Sequence, residues 1–235
     1  GILKEQGLDS DVEKGCCDAR EIFENVKKYI YIPVILLVAI LIFVPYISKN
    51  FIYGDDYICH VSNIFSINEN MSLKNLGISK IRYSIANNLG YGNGIFYHQL
   101  VYHTIGYIYF IMKKIGFSMI SAIKVFELLL VFLSGITMYQ FMQKTFENKR
   151  ASLISSITYI CAPYFISDIF RRTALPEAGI FLFMPIVMLA LTELFKDNHK
   201  KFAIYFIIGY VGMILSHLVL TVYFTFLLAI VLLCN

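Results

Sequence analysis

Asp56 and His60 are the first two residues whose types and spacing could support chemistry. Side chains four residues apart share one face of a helix, so the two could act on one proton, phosphate group or metal ion. A carboxylate at position 56 could be a general base toward a hydroxyl group. It could also hold a divalent cation, Mg²⁺ or Mn²⁺, beside a phosphate. The structural alternative is that Asp55 or Asp56 caps the following helix.

A second group of charges follows a later apolar run and contains Asp168, Arg171, Arg172 and Glu177. Arginine binds phosphate and carboxylate groups through two parallel hydrogen bonds, so Arg172 and Glu177 are candidate substrate-binding residues. The alternative is that the arginines extend toward the membrane surface while Glu177 stabilises a helix N-terminus. Asp168 adds a third charge at one helix end, and such a charge needs a partner.

His217 follows Ser216 between two apolar stretches. It is either a substrate-binding residue or the source of a hydrogen bond between helices. Lys124 and Glu127, three residues apart, are expected to form an ion pair within their helix. Ionisable groups at membrane depth are costly, so all these positions are candidates for a functional site.

The composition indicates that the elements which position these residues are membrane helices. The chain has 235 residues, of which 58% are hydrophobic and 15% charged, and its mean hydropathy is +0.67. These values are typical of an all-α, polytopic transmembrane bundle. The net charge of +4 comes from Lys and Arg near helix ends. It gives no indication of a nucleic-acid partner.

Apolar runs approach the length of about 20 residues that a membrane-spanning helix needs. Six runs are evident, and a seventh, rich in tyrosine, covers 95–112; together they predict about six or seven membrane segments. The six runs are 29–48, 119–142, 151–168, 177–195, 202–217 and 218–234.

Positive charge predicts how these helices are threaded. Basic residues within 1–28 put this N-terminal tail in the cytoplasm, and the loop 49–95 then lies outside. If 95–112 spans the membrane, the basic turns 144–150 and 196–201 fall outside as well. If it lies in the interface or re-enters, both turns become cytoplasmic, and Asp56, Arg172 and Glu177 share the outer face. We favour the second threading.

The chain is expected to divide into the tail 1–28 and a transmembrane module over 29–235, within a longer protein. The loop 49–95 is too long for a simple turn. Its apolar residues at helical spacing predict one or two short helices along the membrane surface; they are Ile58, Val61, Ile64, Phe65 and Ile67.

An ordered set of residues resembles a group of bacterial multi-pass membrane proteins catalogued as 6-pyruvoyl-tetrahydropterin synthase-related, close to the YfhO-like group. The resemblance covers about 50–235 and rests on Asp56, His60, Gly90, Tyr91, Gly92, Phe96, Tyr97, Ala162, Pro163, Tyr164, Asp168, Arg172, Ala174, Glu177, Pro185, Ser216 and His217. The family pattern has arginine where this chain has Asn63, and proline where it has His98.

These proteins are similar to the N-terminal module of the GT-C superfamily of membrane glycosyltransferases. The resemblance implies a helical bundle that uses a polyprenyl-phosphate-linked sugar at the outer face of the bacterial plasma membrane, in cell-envelope assembly. It implies a catalytic or metal-binding role for Asp56 with His60 nearby, and a phosphate contact for Arg172. Substrate contacts are expected from Glu177, His217, Asp168 and Tyr91. The alternative is a non-catalytic binding or transport protein for a lipid-linked glycan.

Overall fold

A computed structural model describes residues 29–47, 54–69, 71–72, 92 and 99–234. Every regular element in these ranges is helical. The helices are α1 (Tyr31–Phe43), α2 (Tyr57–Glu69), α3 (Leu100–Met112), α4 (Met119–Phe146), α5 (Lys149–Ile160), α6 (Pro163–Ser167), α7 (Leu175–Leu194), α8 (His199–Ser216) and α9 (Leu218–Leu233). Short 3-10 turns cover Val44–Ile47 and Lys113–Ile115, and a π-helical turn covers Asp168–Arg172. The predicted all-α class is confirmed for this part of the chain.

Three helical stretches in the described ranges are long and apolar enough to cross a membrane: Met119–Phe146, Lys149–Arg172 and Leu175–Leu194. Tyr31–Tyr46 and Leu218–Leu233 are shorter apolar helices. Large apolar side chains are also exposed along α8 and α9, including Ile207 and Phe226. Exposed apolar surface of this extent is typical of a membrane protein. Of the six or seven predicted membrane segments, three are long and apolar enough to cross a membrane within the described residues.

Consecutive long helices run in opposite directions, so that α4 and α7 are parallel to each other, and charged residues meet at both ends of the bundle. At one end, which we call the arginine end, Arg172 pairs with Glu177 at the start of α7. At the other, the lysine end, Lys144 of α4 pairs with Glu193 near the end of α7. Helices α5 and α8 both begin at the lysine end.

Helix α3, over its described residues, is shorter than the membrane is thick. Its 13 residues span about 20 Å at 1.5 Å per residue, whereas the hydrocarbon core is about 30 Å thick. Gln99 precedes it, and a 3-10 turn and Gly116 follow it. Part of the run 95–112 lies outside the described residues, so whether the run crosses the membrane, lies in the interface or re-enters stays a prediction.

The core lies around α4 and α7, which pack against each other, and α8 packs closely on the outer side of α7. A Cβ atom on Gly212 of α8 would lie 2.3 Å from a ring carbon of Phe183 on α7. Glycine is required at this crossing because it lets the two backbones approach, as small residues do between membrane helices.

Helix α2 confirms that part of the loop 49–95 is helical, but its buried face differs from the predicted one. Ile64 is fully buried as expected, whereas Ile58 is 77% exposed and Phe65 48% exposed. Ile67 is buried as expected, and the buried face also carries two polar side chains, His60 and Asn63. Helix α2 packs against α3 through this face, so tertiary contacts decided which residues were covered.

The predicted ion pair between Lys124 and Glu127 is wrong. The Lys124 ammonium donates to the carbonyl oxygen of Tyr46 at 2.9 Å. Glu127 is fully buried in α4, and neither carboxyl oxygen has a hydrogen-bond partner among the described residues. Lys124 lies near the start of α4 and its side chain extends to the turn after α1, so it makes no hydrogen bond to Glu127.

Candidate functional site

A break in the apolar run 151–168 helps to build the arginine end. Pro163 begins α6 and lacks an N–H group, and Ala162 before it is extended, as is usual for a residue preceding proline. Helix α6 then continues into the π-helical turn Asp168–Arg172. Wide turns of this kind are frequent at functional sites. Pro163 therefore separates α5 from α6 within the helical stretch Lys149–Arg172.

Thr173 ends the π-helical turn in the left-handed region, with φ of 55°. A non-glycine residue is uncommon there and carries strain, and such residues cluster at functional sites. The backbone amide of Ala174 donates to the carbonyl oxygen of Asp168 at 2.8 Å, which closes the turn. This reversal places the last turn before Thr173 directly beside the first turn of α7.

Arg172 lies at the centre of three carboxylates. Its Nη1 atom is 2.9 Å from Asp168 Oδ1, and its Nη2 atom is 2.8 Å from Glu177 Oε2 and 3.9 Å from Asp56 Oδ2. A guanidinium group offers five N–H donors, so it can serve several acceptors at once. The structure thus brings four of the predicted site residues into one cluster, which we call the Arg172 cluster.

Members of the Arg172 cluster differ sharply in exposure. The side chain of Asp168 is fully buried and that of Glu177 is 11% exposed, whereas Arg172 is 35% and Asp56 46% exposed. One oxygen of Asp168, Oδ2, has no hydrogen-bond partner among the described residues. Asp168 and Glu177 therefore hold Arg172 from the protein side, and Asp56 closes the open side.

Asp56 is fixed to Arg172 through the backbone as well. Its amide donates to the carbonyl oxygen of Arg172 at 3.0 Å. A Cβ atom on Gly54 would lie 2.2 Å from Thr173 Oγ1 and 2.5 Å from the carbonyl carbon of Arg172. Only glycine permits this close approach, so Gly54 allows the segment before α2 to dock on the π-helical turn.

Tyr164 belongs to the cluster, although sequence reasoning assigned it no role. Its hydroxyl donates to Glu177 Oε1, the carboxylate oxygen that Arg172 does not bind. The residue is 50% exposed. Its position directly after Pro163 was the available signal, since a side chain in the first turn after a break points back toward the interruption.

His60 faces away from the Arg172 cluster. It is 3% exposed, and its Nδ1 atom lies 2.6 Å from the hydroxyl oxygen of Tyr102 on α3. Helix α2 begins at Tyr57, one residue after Asp56. Asp56 thus precedes the helix, and the shared helical face predicted for positions 56 and 60 does not form.

Asp56 also influences the nearby thiol of Cys59. Burial, followed by the negative charge of Asp56, raises the pKa of Cys59 above its ordinary value. Cys59 lies near the start of α2, outside the three candidate spans, and its side chain is exposed. This thiol is a built-in reporter on the charge of Asp56.

His217 occupies the junction between α8 and α9. Its Nδ1 atom accepts a hydrogen bond from the amide of Leu220 at 3.3 Å, so it caps α9. Ser216 beside it reaches α7, where a Cβ atom on Gly179 would lie 3.3 Å from Ser216 Oγ. His217 is therefore held close to the first turn of α7, which carries Glu177.

Tyr91 and Arg171, two further residues of the sequence analysis, are not among the described members of the Arg172 cluster. Tyr91 lies outside the described residues. Arg171 is exposed, unlike its neighbour Arg172, so the two arginines point to different surroundings. Among the described residues, no group of three or more His, Cys, Asp or Glu side chains is arranged to hold a metal ion.

Comparison with known proteins gave no match: no family model fits the chain, and neither a curated protein nor a solved structure is significantly similar to it. The resemblance stated from the sequence therefore stays a prediction.

Proposed function

We propose that this protein is a membrane glycosyltransferase of the GT-C type, which uses a polyprenyl-phosphate-linked sugar in cell-envelope glycan assembly. The observation that supports this proposal best is the half-exposed carboxylate of Asp56 beside the partly exposed guanidinium of Arg172. A base for the acceptor and a cation for the leaving phosphate are the two groups that such a transfer requires.

An apolar groove close to the Arg172 cluster supports a lipid-linked substrate. Its volume is about 180 Å³, and it runs between α3, α4 and α7. Gly179, which lines it, lies two residues beyond Glu177, and Ser216, which also lines it, precedes His217. Part of an isoprenoid chain in this groove would leave its phosphate near Arg172.

The proposed reaction uses the cluster as follows. Asp56 accepts the proton of the acceptor hydroxyl, whose oxygen forms a bond to the anomeric carbon of the sugar. The bond between that carbon and the phosphate oxygen breaks, and polyprenyl phosphate leaves with the electron pair. Arg172 then stabilises the leaving phosphate. The phosphate approaches the guanidinium from the side of Asp56, which at 3.9 Å is the carboxylate of the cluster farthest from Arg172.

A divalent metal at Asp56 does not fit the geometry of the cluster. The positively charged guanidinium of Arg172 lies between Asp56, Asp168 and Glu177, where a cation would have to be coordinated. We therefore propose no step that uses Mg²⁺ or Mn²⁺.

We further propose that the N-terminus is cytoplasmic and that the arginine end faces outward across a bacterial plasma membrane. The basic residues at the lysine end support this orientation. Membrane-impermeant maleimide applied to intact cells should label Asp55→Cys and Arg171→Cys but not Lys200→Cys, in a background without other cysteines. Labelling of Lys200→Cys alone would reverse the orientation.

The test of the transferase proposal compares Asp56→Asn with Asp55→Asn. Membranes containing the full-length protein are supplied with labelled polyprenyl-phosphate sugars, and transfer of label is measured. Asp56→Asn should abolish transfer, because it keeps the shape of the side chain and removes the base. Asp55→Asn, an equal change at the exposed neighbouring residue, should retain transfer. Full transfer by Asp56→Asn contradicts the proposal.

The alternative function is binding or transport of a lipid-linked glycan without turnover. The burial of His60 against Tyr102 favours it, since this leaves Asp56 without the histidine that was expected to share its proton. Under this alternative, wild-type membranes bind the labelled donor but never transfer it, and Asp56→Asn binds it as well as the wild type.

A further inference from the structure

A second cavity lies at the lysine end of the bundle, far from the Arg172 cluster. Its volume is about 500 Å³. The walls come from α1, α4, α5, α7 and α8, so five helices contribute to one opening. It is lined by Tyr29, Tyr31, Tyr139, Gln140, Gln143, Lys144, Lys149, Leu189, Glu193, Lys201 and Tyr205. We call it the lysine cavity.

Positive charge exceeds negative charge in the lysine cavity. Its lining includes Lys144, Lys149 and Lys201 but only one carboxylate, Glu193. Glu193 is 3% exposed, and its Oε1 atom lies 3.1 Å from Lys144 Nζ. This pair leaves two ammonium groups, for which the described residues provide no ion-pair partner. An anion is the ligand whose charge would balance them.

The local backbone adds to this positive charge. Lys149 is the first residue of α5, and Lys201 is the third residue of α8. Neither helix has an acidic residue in its first turn. Because helix N-termini carry partial positive charge, lysines there are locally unfavourable. A bound anion would interact favourably both with the two lysines and with the partial positive charge of the helix N-termini.

Aromatic residues place the lysine cavity at the level of lipid headgroups. Four tyrosines line it, and the rings of Tyr31 and Tyr139 stack with centroids 3.8 Å apart. Tyrosine is enriched where a membrane protein meets the interface between lipid and water. Basic pockets between helices at this level bind phosphate-bearing lipid headgroups. The side-chain amides of Gln140 and Gln143 add neutral hydrogen-bond donors.

We propose that the lysine cavity binds the phosphate-bearing headgroup of an anionic phospholipid. Lys149 and Lys201 contact the phosphate, Lys144 is oriented by Glu193, and the tyrosines flank the glycerol region. This site is separate from the Arg172 cluster, so its test does not depend on any transferase activity.

Native mass spectrometry of the purified full-length protein in detergent tests this proposal, with phosphatidylglycerol and phosphatidylcholine titrated separately. Phosphatidylglycerol should bind more tightly to the wild type. The double variant Lys149→Gln/Lys201→Gln should lose about 25-fold in affinity, at roughly fivefold for each lysine. Lys149→Arg/Lys201→Arg keeps both charges and should bind nearly as well as the wild type.

The matched control is Lys113→Gln/Lys114→Gln, which removes two exposed lysines from the turn before α4, away from the lysine end. It should leave phosphatidylglycerol affinity unchanged. An equal loss in this control, or equal affinity of the wild type for both lipids, overturns the proposal. Glycerol phosphate is titrated as the soluble arm, and if it binds as tightly as the lipid, the ligand is a soluble phosphate and the lipid assignment is wrong.

Discussion

Asp56 and Arg172 are joined twice across a separation of more than a hundred residues in the chain. The amide of Asp56 donates to the carbonyl oxygen of Arg172 at 3.0 Å, and its carboxylate lies 3.9 Å from the Arg172 guanidinium. The backbone contact fixes where Asp56 lies, and the longer side-chain contact leaves its carboxylate accessible. The backbone of Asp56 thus fixes its position, and its side chain stays partly exposed.

Gly54→Ala should release Asp56 from this position. The added methyl would lie 2.5 Å from the carbonyl carbon of Arg172, so the segment must move away at a cost of roughly 1–3 kcal/mol. We expect loss of transfer, or of donor binding, and faster proteolysis before α2. Gly106→Ala is the matched control, because the atoms nearest its Cβ, at 3.2–3.4 Å, belong to side chains that can adjust. Equal behaviour of the two variants would contradict this role of Gly54.

Arg172→Ala should destabilise the fold through Asp168. Removing the guanidinium leaves a fully buried carboxylate without its ion partner. We expect a loss of about 2–3 kcal/mol, below the range for a fully buried pair because Arg172 is a third exposed. Reversible unfolding in mixed micelles measures this loss. Arg171→Ala, at the exposed neighbouring position, should change stability by less than about 0.5 kcal/mol.

A double variant separates charge from packing at the same site. Asp168→Asn combined with Arg172→Ala should recover part of the lost stability, because the unpaired charge of the fully buried Asp168 is removed, while Glu177 keeps its hydrogen bond from Tyr164. If the double variant is as unstable as the sum of the single variants, Asp168 and Arg172 do not depend on each other. Arg172→Lys keeps the charge but loses the fork, so it should weaken donor binding more than it affects folding.

Sequence reasoning located this cluster because charged residues among apolar helices have few tolerable positions. The sequence indicated that Asp168 needs a partner without naming Arg172, and it predicted a common membrane face for Asp56 and Arg172 from the distribution of basic residues. The π-helical turn could not be predicted, since no local signal distinguishes it from an ordinary helix end. The residue after the turn, Thr173, has a φ of 55° and lies beside Gly54, which is distant in the sequence.

His60 shows why the other contacts of the site could not be predicted from the sequence. The spacing of four residues from Asp56 indicates a shared face only when both residues lie within one helix, and Asp56 lies just before it. The partner that the structure gives His60 is Tyr102 on α3, a contact between distant segments that no local pattern contains. The same holds for Lys124, which reaches the carbonyl oxygen of Tyr46 and not Glu127.

Glu127→Leu should stabilise the protein or leave its stability unchanged. Glu127 is fully buried, and its carboxyl oxygens have no hydrogen-bond partner among the described residues. A buried polar group without a partner costs about 1–3 kcal/mol, and an apolar side chain of similar size removes that cost. Unfolding in mixed micelles gives the answer, with Glu177→Leu as the control that should destabilise. A loss of stability in Glu127→Leu would show that the carboxyl group has a stabilising partner.

Cys59 provides a pH-dependent test of the charge on Asp56. Burial and the Asp56 carboxylate both raise the pKa of the thiol, and only the thiolate reacts with maleimide. Asp56→Asn removes the second cause, so the pKa of Cys59 should fall and its labelling at a given pH below that pKa should become faster. The rate is measured against pH in a variant that keeps Cys59 as its only cysteine.

The sign of the shift distinguishes a charge effect from a loosened structure. A lowered pKa moves the whole profile of rate against pH toward lower pH and leaves the plateau at high pH nearly unchanged, apart from the lower intrinsic nucleophilicity of a more acidic thiol. Loss of packing around α2 would instead raise the plateau. Asp55→Asn removes a charge from the adjacent exposed position and should shift the profile less. An unshifted profile in Asp56→Asn would mean that the carboxylate does not lie near Cys59.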